Sequence, residues 1–463
     1  MPLVSPRAIV SLGAIVSLCA IASLCAVGGG TAFADTGSQP PQKPGVTRPL
    51  TLRQARMLAL QSHPALAAAN FRADAEQQAV IETRAGLFPQ VALLGTAAEG
   101  GADNTRILAG GLNNPSVMDR TAGGVLVSQL LTDFGHTSNL LASSKYKARA
   151  AGQEVAATRE QVLLQVDEAY FGVLQAQVVE SVAKQTVDTR QLLLDRVSAL
   201  ARNKLKSDLD VNFARVALEN GRLLLESARN GVDNAMATLS AALGLEQAER
   251  FRLADVGNPA TGSEESADIG ALIDRALRDR PDLASLRDQL DAALRYARAE
   301  RDARLPTIAA VGAAGGAISH DSRLPDNYTA GGIEISIPLF AGGLFLARQH
   351  EAEFRAKALG ESLRNAEDNV GRDVRIALSN LMNARERLHT TGELVATANE
   401  AYELAQARYQ VGASSIVELS QAQLQQTSAQ IDAATARYEV FRQRSVLQYE
   451  LGELAALDRN ALP

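Results

Sequence analysis

Absences set the first bounds on this 463-residue chain. It contains no tryptophan, and aromatics make up 4%, too few for a compact globular core of this size. Its two cysteines, Cys19 and Cys25, both fall in the first 34 residues, so the remainder is built without disulfides. Leu18 and Leu24 precede them where a lipid-anchored cysteine needs a small neighbour, which argues against lipidation. Proline is missing from residues 116–258 and again from 339–462. Because proline breaks helix interiors, these gaps read as helix. Positive charge is not in excess: 46 Lys and Arg stand against 52 Asp and Glu, a formal charge of -6. They are spread without a basic patch, which argues against a nucleic-acid partner.

Catalytic and cofactor signatures are missing as well. His63, His136, His320, His350 and His389 are scattered with no His-x-x-x-His pair. The "HEAEF" at His350 reads as a solvated helix face rather than a metal site. Asp133-Phe134-Gly135 matches the magnesium-holding string of protein kinases, but no Gly-rich loop, strand lysine or His-Arg-Asp loop accompanies it. "GAAGGA" at Gly312 lacks the βαβ context of a dinucleotide site, and no Ser-His-Asp arrangement is recognisable. The expectation is no cofactor and no enzyme.

The positive content begins with an apolar stretch over residues 9–27, followed by Ala32-Phe33-Ala34. It reads as a signal peptide ending at residue 34, with a membrane-spanning anchor as the rival. A Pro-rich linker over 35–49 is expected to be disordered. The rest is written twice. Pro64 matches Pro281 and Pro89 matches Pro306 at an offset of 217; Gly123-Gly124 matches Gly331-Gly332 and Leu243-Gly244 matches Leu451-Gly452 at 208. The nine-residue difference lies between Pro89 and Gly123 and marks a surface loop.

Each repeat reads as helix, strand, loop, strand, very long helix, turn and long helix. Repeat 1 spans 50–257, with strands near 90–100 and 123–132, a long helix over 136–203 and a helix over 208–243. After a linker at 258–267, repeat 2 spans 268–457, with strands near 307–318 and 331–340, a long helix over 344–411 and a helix over 416–451. A tail follows over 458–463. The first long helix is roughly 100 Å at 1.5 Å per residue. Val162, Val166, Ala169, Val173 and Ala176 recur along it at coiled-coil spacing. In "GGIEISIPLF", Ile333, Ile335, Ile337 and Leu339 alternate with Glu334, Ser336 and Pro338. Both a barrel strand in lipid and a half-buried soluble strand show this alternation.

That element order, the "PLFAGG" string at 338–343 and "YQVGASSIVELSQAQ" from Tyr409 resemble the TolC-like outer-membrane efflux protein family, the outer-membrane factors of tripartite efflux and type I secretion. The resemblance implies a homotrimer, mainly α with membrane β, forming a 12-stranded β-barrel continued by a long α-helical periplasmic tunnel in outer-membrane lipid. It implies a passive exit duct fed by a periplasmic adaptor (membrane fusion protein) and an inner-membrane pump. A periplasmic coiled-coil adaptor or stalk is the alternative, which the duplicated strand pairs disfavour. The strand-pair tips, 99–119 and 319–328, would face outside.

The turns carry the candidate site. Ser207-x-x-Asp210 and Ser415-x-x-Glu418 are capping-box patterns. From the resemblance, Glu418 falls on a ring carboxylate of the tunnel tip and Gln421 where a second often lies. Tyr409 falls on a helix-linking tyrosine and Asp210 on the acid that it bonds. Gly412 is either an adaptor contact or a helix C-cap. Ser414 stands where a basic latch is expected. Gly135, Gly342 and Gly343 are expected in the strand-to-helix turns.

Overall fold

The computed structural model describes residues 49–98, 108–109, 112–113, 120–247, 249–259, 268–320 and 325–455. The expected signal peptide, the C-terminal tail, most of both linkers, most of the first outer loop and residues 321–324 of the second lie outside the described residues.

Repeat 1 opens with α1 (Leu52–Ser62), held by a capping box between Thr51 and Gln54, and α2 (Pro64–Ala85). Strands β1 (Gln90–Ala98), β2 (Leu108–Ala109), β3 (Leu112–Asn113) and β4 (Arg120–Thr132) follow, then α3 (His136–Arg202) and α4 (Asp208–Ala242). Repeat 2 contains α5 (Ile269–Asp279), α6 (Pro281–Asp302), β5 (Thr307–His320), β6 (Asn327–Ser336), α7 (Leu344–Gln410) and α8 (Ile416–Glu450). The leading helix expected in each repeat is two helices. The chain is extended at His63 and Arg280, and Pro64 and Pro281 each start the second helix, the position where a missing N–H costs nothing.

The main sheet runs β1-β4-β5-β6, antiparallel throughout. Its hairpins repeat the duplication in their register: Gly95 faces Gly123 in one, and Gly312 faces Gly331 in the other. Those partners differ by 217 and 208. Strand β6 stops at Ser336, short of the expected 340, although its counterpart β4 reaches Thr132. The reason is pairing. Strand β4 has neighbours on both sides, whereas β6 has one, and Leu339 and Phe340 are 92% and 91% exposed. On one sheet face Tyr328 lies across Gly315 and reaches Gly124, and a Cβ at either glycine would collide with its ring or hydroxyl.

The 67-residue helices α3 and α7 organise the rest. Helices α1, α2, α4, α6 and α8 pack along α3, and α5, α6 and α8 along α7. Of the expected seam, Val162, Val166, Ala169 and Val173 are buried. They meet Ala55, Ala59, Leu239 and Leu243 in the largest core cluster. Within it the Tyr170 hydroxyl lies 2.9 Å from the Leu50 carbonyl and 2.7 Å from that of Ala254, tying the strand bridge of Leu50 and Leu253 to α3.

Helix ends meet at the same level in both repeats. Gly244 (φ 73°) abuts His63, and Gly452 (φ 74°) abuts Asp279 and Arg280. A side chain at either glycine would be strained by its φ and would press on that backbone. Here too lies a buried ion pair: Asp167 on α3 accepts from both Arg56 on α1, at 2.7 Å on one oxygen, and Ser445 on α8, at 2.6 Å on the other. No helix among the described residues is long and apolar enough to cross a membrane. The sheet, with Val91, Leu93, Ile333 and Ile335 exposed, is the part suited to lipid.

Candidate functional site at the hairpin ends

Each very long helix turns back through five residues. Helix α7 ends in a Schellman motif: Gly412 (φ 78°) donates to the Tyr409 carbonyl and Ala413 to that of Arg408 at 2.8 Å. Helix α3 ends the same way. Lys204 (φ 58°) donates to the Ala201 carbonyl and Leu205 to that of Leu200, each at 2.9 Å. The counterpart of Gly412 is therefore Lys204. Gly412 has no neighbour within 4 Å of a built Cβ, so its role within the chain is the C-cap.

The following helices start differently in the two repeats. Ser207 caps α4 with the full box: its hydroxyl accepts from the Asp210 amide at 3.2 Å, and the Asp210 carboxylate accepts from the Ser207 amide at 3.1 Å. Ser415 caps α8 through the Glu418 amide at 3.2 Å, but Glu418 does not reach back. Its carboxylate instead lies 3.3 Å from Arg408 across the turn. The second capping box expected from spacing is half formed because an arginine competes for its acid.

Tyr409 is 4% exposed, packed among Val197, Ala405, Ile416 and Leu419. Its hydroxyl has no hydrogen-bond partner, so the bond to Asp210 expected from the resemblance is not made. Asp210 is engaged in its own cap. Burial, then the negative charge of Asp210, pushes the Tyr409 pKa up. A contact that the sequence did not reveal also joins the two hairpins: the Lys206 Nζ sits 4.1 Å from the Tyr409 ring centroid. Its cation meets the ring face, a contact worth about 0.5–1 kcal/mol near a surface. Gln421 is exposed on α8, and Ser414 is half-buried with its hydroxyl unpartnered. A signal for Lys204 was available in the 208-residue offset; none was available for Lys206 or Arg408, whose partners are set by packing.

At the strand-to-helix turns Gly135 (φ 112°) and Gly343 (φ 85°) are the N-caps of α3 and α7. Phe134 and Gly342, each one residue earlier, share φ near 55° and 59°. The Asp-Phe-Gly string is thus a turn. The Asp133 carboxylate accepts from Gly135 N at 3.2 Å and Thr137 N at 2.7 Å.

The family model described as outer membrane efflux protein matches residues 55–245 and 272–453. The chain belongs to the outer membrane efflux protein family. The Outer membrane protein TolC of Salmonella enteritidis is 26% identical over 426 residues, covering 89% of this chain and 84% of that protein. The Escherichia coli protein of the same name is 26% identical over 429 residues, with the same coverage. The solved outer-membrane channel OprN superposes with a TM-score of 0.75 at 22% identity, covering 87% of this chain and 89% of that one, a likeness of fold. This efflux protein is an outer-membrane exit channel with a periplasmic tunnel, serving an efflux or secretion system. Its family is one of channels rather than enzymes.

Proposed function

We propose that three copies of this chain form a passive duct, each giving four strands to one 12-stranded barrel. Cargo enters from an inner-membrane pump through a periplasmic adaptor that docks on the hairpin ends around residues 204–210 and 412–418. The observation that carries this reading is the sheet itself. Among the described residues strands β1 and β6 each have one unpaired edge, and an open sheet edge has no water to satisfy it in lipid. Other copies must supply the missing partners. The loops at 99–119 and 319–328 then face outside the cell.

The hairpin ends act in this reading as a cation-selective mouth. Three copies bring together six carboxylates, three each from Asp210 and Glu418. Arg408 beside Glu418 offsets part of that charge, so Asp210 carries more of the selectivity than position alone implies. Single-channel recording in planar bilayers tests the reading. Cation selectivity should fall in Asp210→Ala and further in Asp210→Ala with Glu418→Ala. Tyr409→Phe should leave conductance unchanged, because its hydroxyl bonds nothing, whereas Tyr409→Leu, which removes the face beneath Lys206, should raise it. Unchanged selectivity in the double variant would reduce both acids to helix caps.

A further inference from the structure

The helices that join the sheet stand side by side in the order α2, α3, α6, α7. Lys147 of α3, Tyr296 of α6 and Arg355 of α7 line one hollow between them. Arg72 of α2 lines a second, together with Lys147 and Gln289 of α6. A hollow shared by both neighbours of a helix lies where the wall is concave, so this side faces the tunnel. At about 100° per residue, Arg84 on α2 falls well away from Arg72, and Arg298 and Arg301 on α6 fall opposite Tyr296. These three arginines are exposed on the convex side of the wall.

Their level along the molecule is fixed by the duplication. Arg84 lies six residues before Gln90 and Arg301 six before Thr307, the first residues of β1 and β5. The two repeats thus keep an arginine at one position, since 301 - 84 = 217, the offset of the leading helices. Between arginine and strand comes an apolar rim of exposed Phe88 and Leu305, with Phe134 and Phe340 exposed just beyond β4 and β6. Such a rim marks where the lipid chains of a bilayer end, and the headgroup layer occupies the next ~5–7 Å. The Arg84 guanidinium lies 5.5 Å from the Phe88 ring centre, with its apolar stem beside the rim and its charge beyond it.

Charge at this level is uncompensated. Among the described residues Arg84 and Arg298 have no acidic partner, and Arg301 shares the buried Asp302 with Asn139. Arg304 follows in the turn and donates to the Arg301 carbonyl at 3.3 Å. Helix α3 has no acid before Glu154, and Asp291, the next acid on the convex side of α6, stands two turns farther from the sheet.

We propose that Arg84, Arg298 and Arg301 form a docking strip for anionic phospholipid headgroups in the periplasmic leaflet, with the acyl chains against Phe88 and Leu305. Guanidinium groups offer paired N–H donors to phosphate oxygens. A headgroup of net negative charge keeps the attraction that a zwitterionic one cancels within itself. The inference rests on the outer-membrane placement of the channel and not on the number of copies.

The chain has no tryptophan, so Leu305→Trp is a single fluorescent reporter at this level, and Ile318→Trp is one at the far end of β5. Each full-length variant is reconstituted in phosphatidylcholine bilayers containing brominated phosphatidylglycerol or brominated phosphatidylcholine. Quenching at Leu305→Trp should favour the brominated phosphatidylglycerol by about fivefold, and Ile318→Trp should show no preference. Adding Arg298→Gln and Arg301→Gln should bring the preference near one. Arg298→Gln alone, which removes no bond among the described residues, should about halve it. Equal quenching at Leu305→Trp, the same preference at both reporters, or a preference that survives both substitutions overturns the strip. Inorganic phosphate and chloride at matched ionic strength should weaken the preference equally. A loss specific to phosphate assigns the arginines to a soluble anion and overturns the lipid.

Discussion

At residue 134 the first repeat places a phenylalanine in the left-handed region, and 208 residues later the second places a glycine there. The same exchange occurs at Lys204 and Gly412. Both repeats reach one backbone, but by different means. The second uses glycines, which adopt positive φ without a Cβ penalty. At Phe134 the first holds the strained residue in place with side-chain bonds: Asp133 receives two amides ahead of α3, where the second repeat has Ala341. The lesson extends to the core. Arg56 and Asp167 make a buried pair in repeat 1, while their counterparts are Ile273 and Arg375, the latter donating to the Gly371 carbonyl. Repeat 2 places its charge instead at the break between its first two helices, where Arg280 meets Asp282 and Glu450.

The sharpest way to break this comparison is at the buried pair. Asp167→Ala removes the carboxylate facing the Arg56 guanidinium and the Ser445 hydroxyl, and should cost about 3–5 kcal/mol, read from denaturant melts of detergent-solubilised protein. Arg375→Ala in repeat 2 should cost much less. Next come the turns. Gly342→Ala and Gly412→Ala each force a Cβ into left-handed backbone and should cost about 1–2 kcal/mol, while neither position has an atom within 4 Å to obstruct it. Any loss is thus conformational, and a neutral melt would refute the strain account.

Asp133→Ala should cost about 1 kcal/mol as a lost helix cap. Burial works to raise the Asp133 pKa, but hydrogen bonds from Thr137 and Gly135 outweigh it and hold the carboxyl below its usual 3.8. A depressed carboxylate stabilises fully above its unfolded value and loses that contribution as pH falls through the folded one. The gap between wild type and variant should therefore be constant near neutrality and close below about pH 4. A gap that persists in acid would assign the effect to something other than this charge. The smallest effect belongs to Lys204→Gly. It relieves left-handed strain but frees the unfolded chain, and should change stability by less than about 1 kcal/mol, toward gain.

Much of the fold was legible because its signals are prohibitions. Proline cannot sit inside a helix, so its absence from 339–462 marked α7 and α8, and the offsets of 217 and 208 that align the repeats also relate the registers of the two hairpins. The break at Pro64 was not legible, because proline at the first turn of a helix and proline between two helices look alike in sequence. The site was legible only in part. Ser207 with Asp210 and Ser415 with Glu418 present one pattern, and the difference lies in Arg408, ten residues from its acid. The resemblance led to a Tyr409 bond with Asp210 that is not made, and the Tyr409 contact with Lys206 depends on how two distant hairpins pack, which no local spacing encodes.

The tyrosine lying across two strands has a consequence on another timescale. Tyr328 occupies space that side chains at Gly124 and Gly315 would fill, and the backbone closes on both glycines as well: the Ala314 carbonyl lies 2.8 Å from a Cβ at Gly124 and the Gly123 carbonyl 2.5 Å from one at Gly315. Shrinking the ring therefore does not free either glycine. Among descendants of this gene, residues 124 and 315 should stay glycine whatever stands at 328.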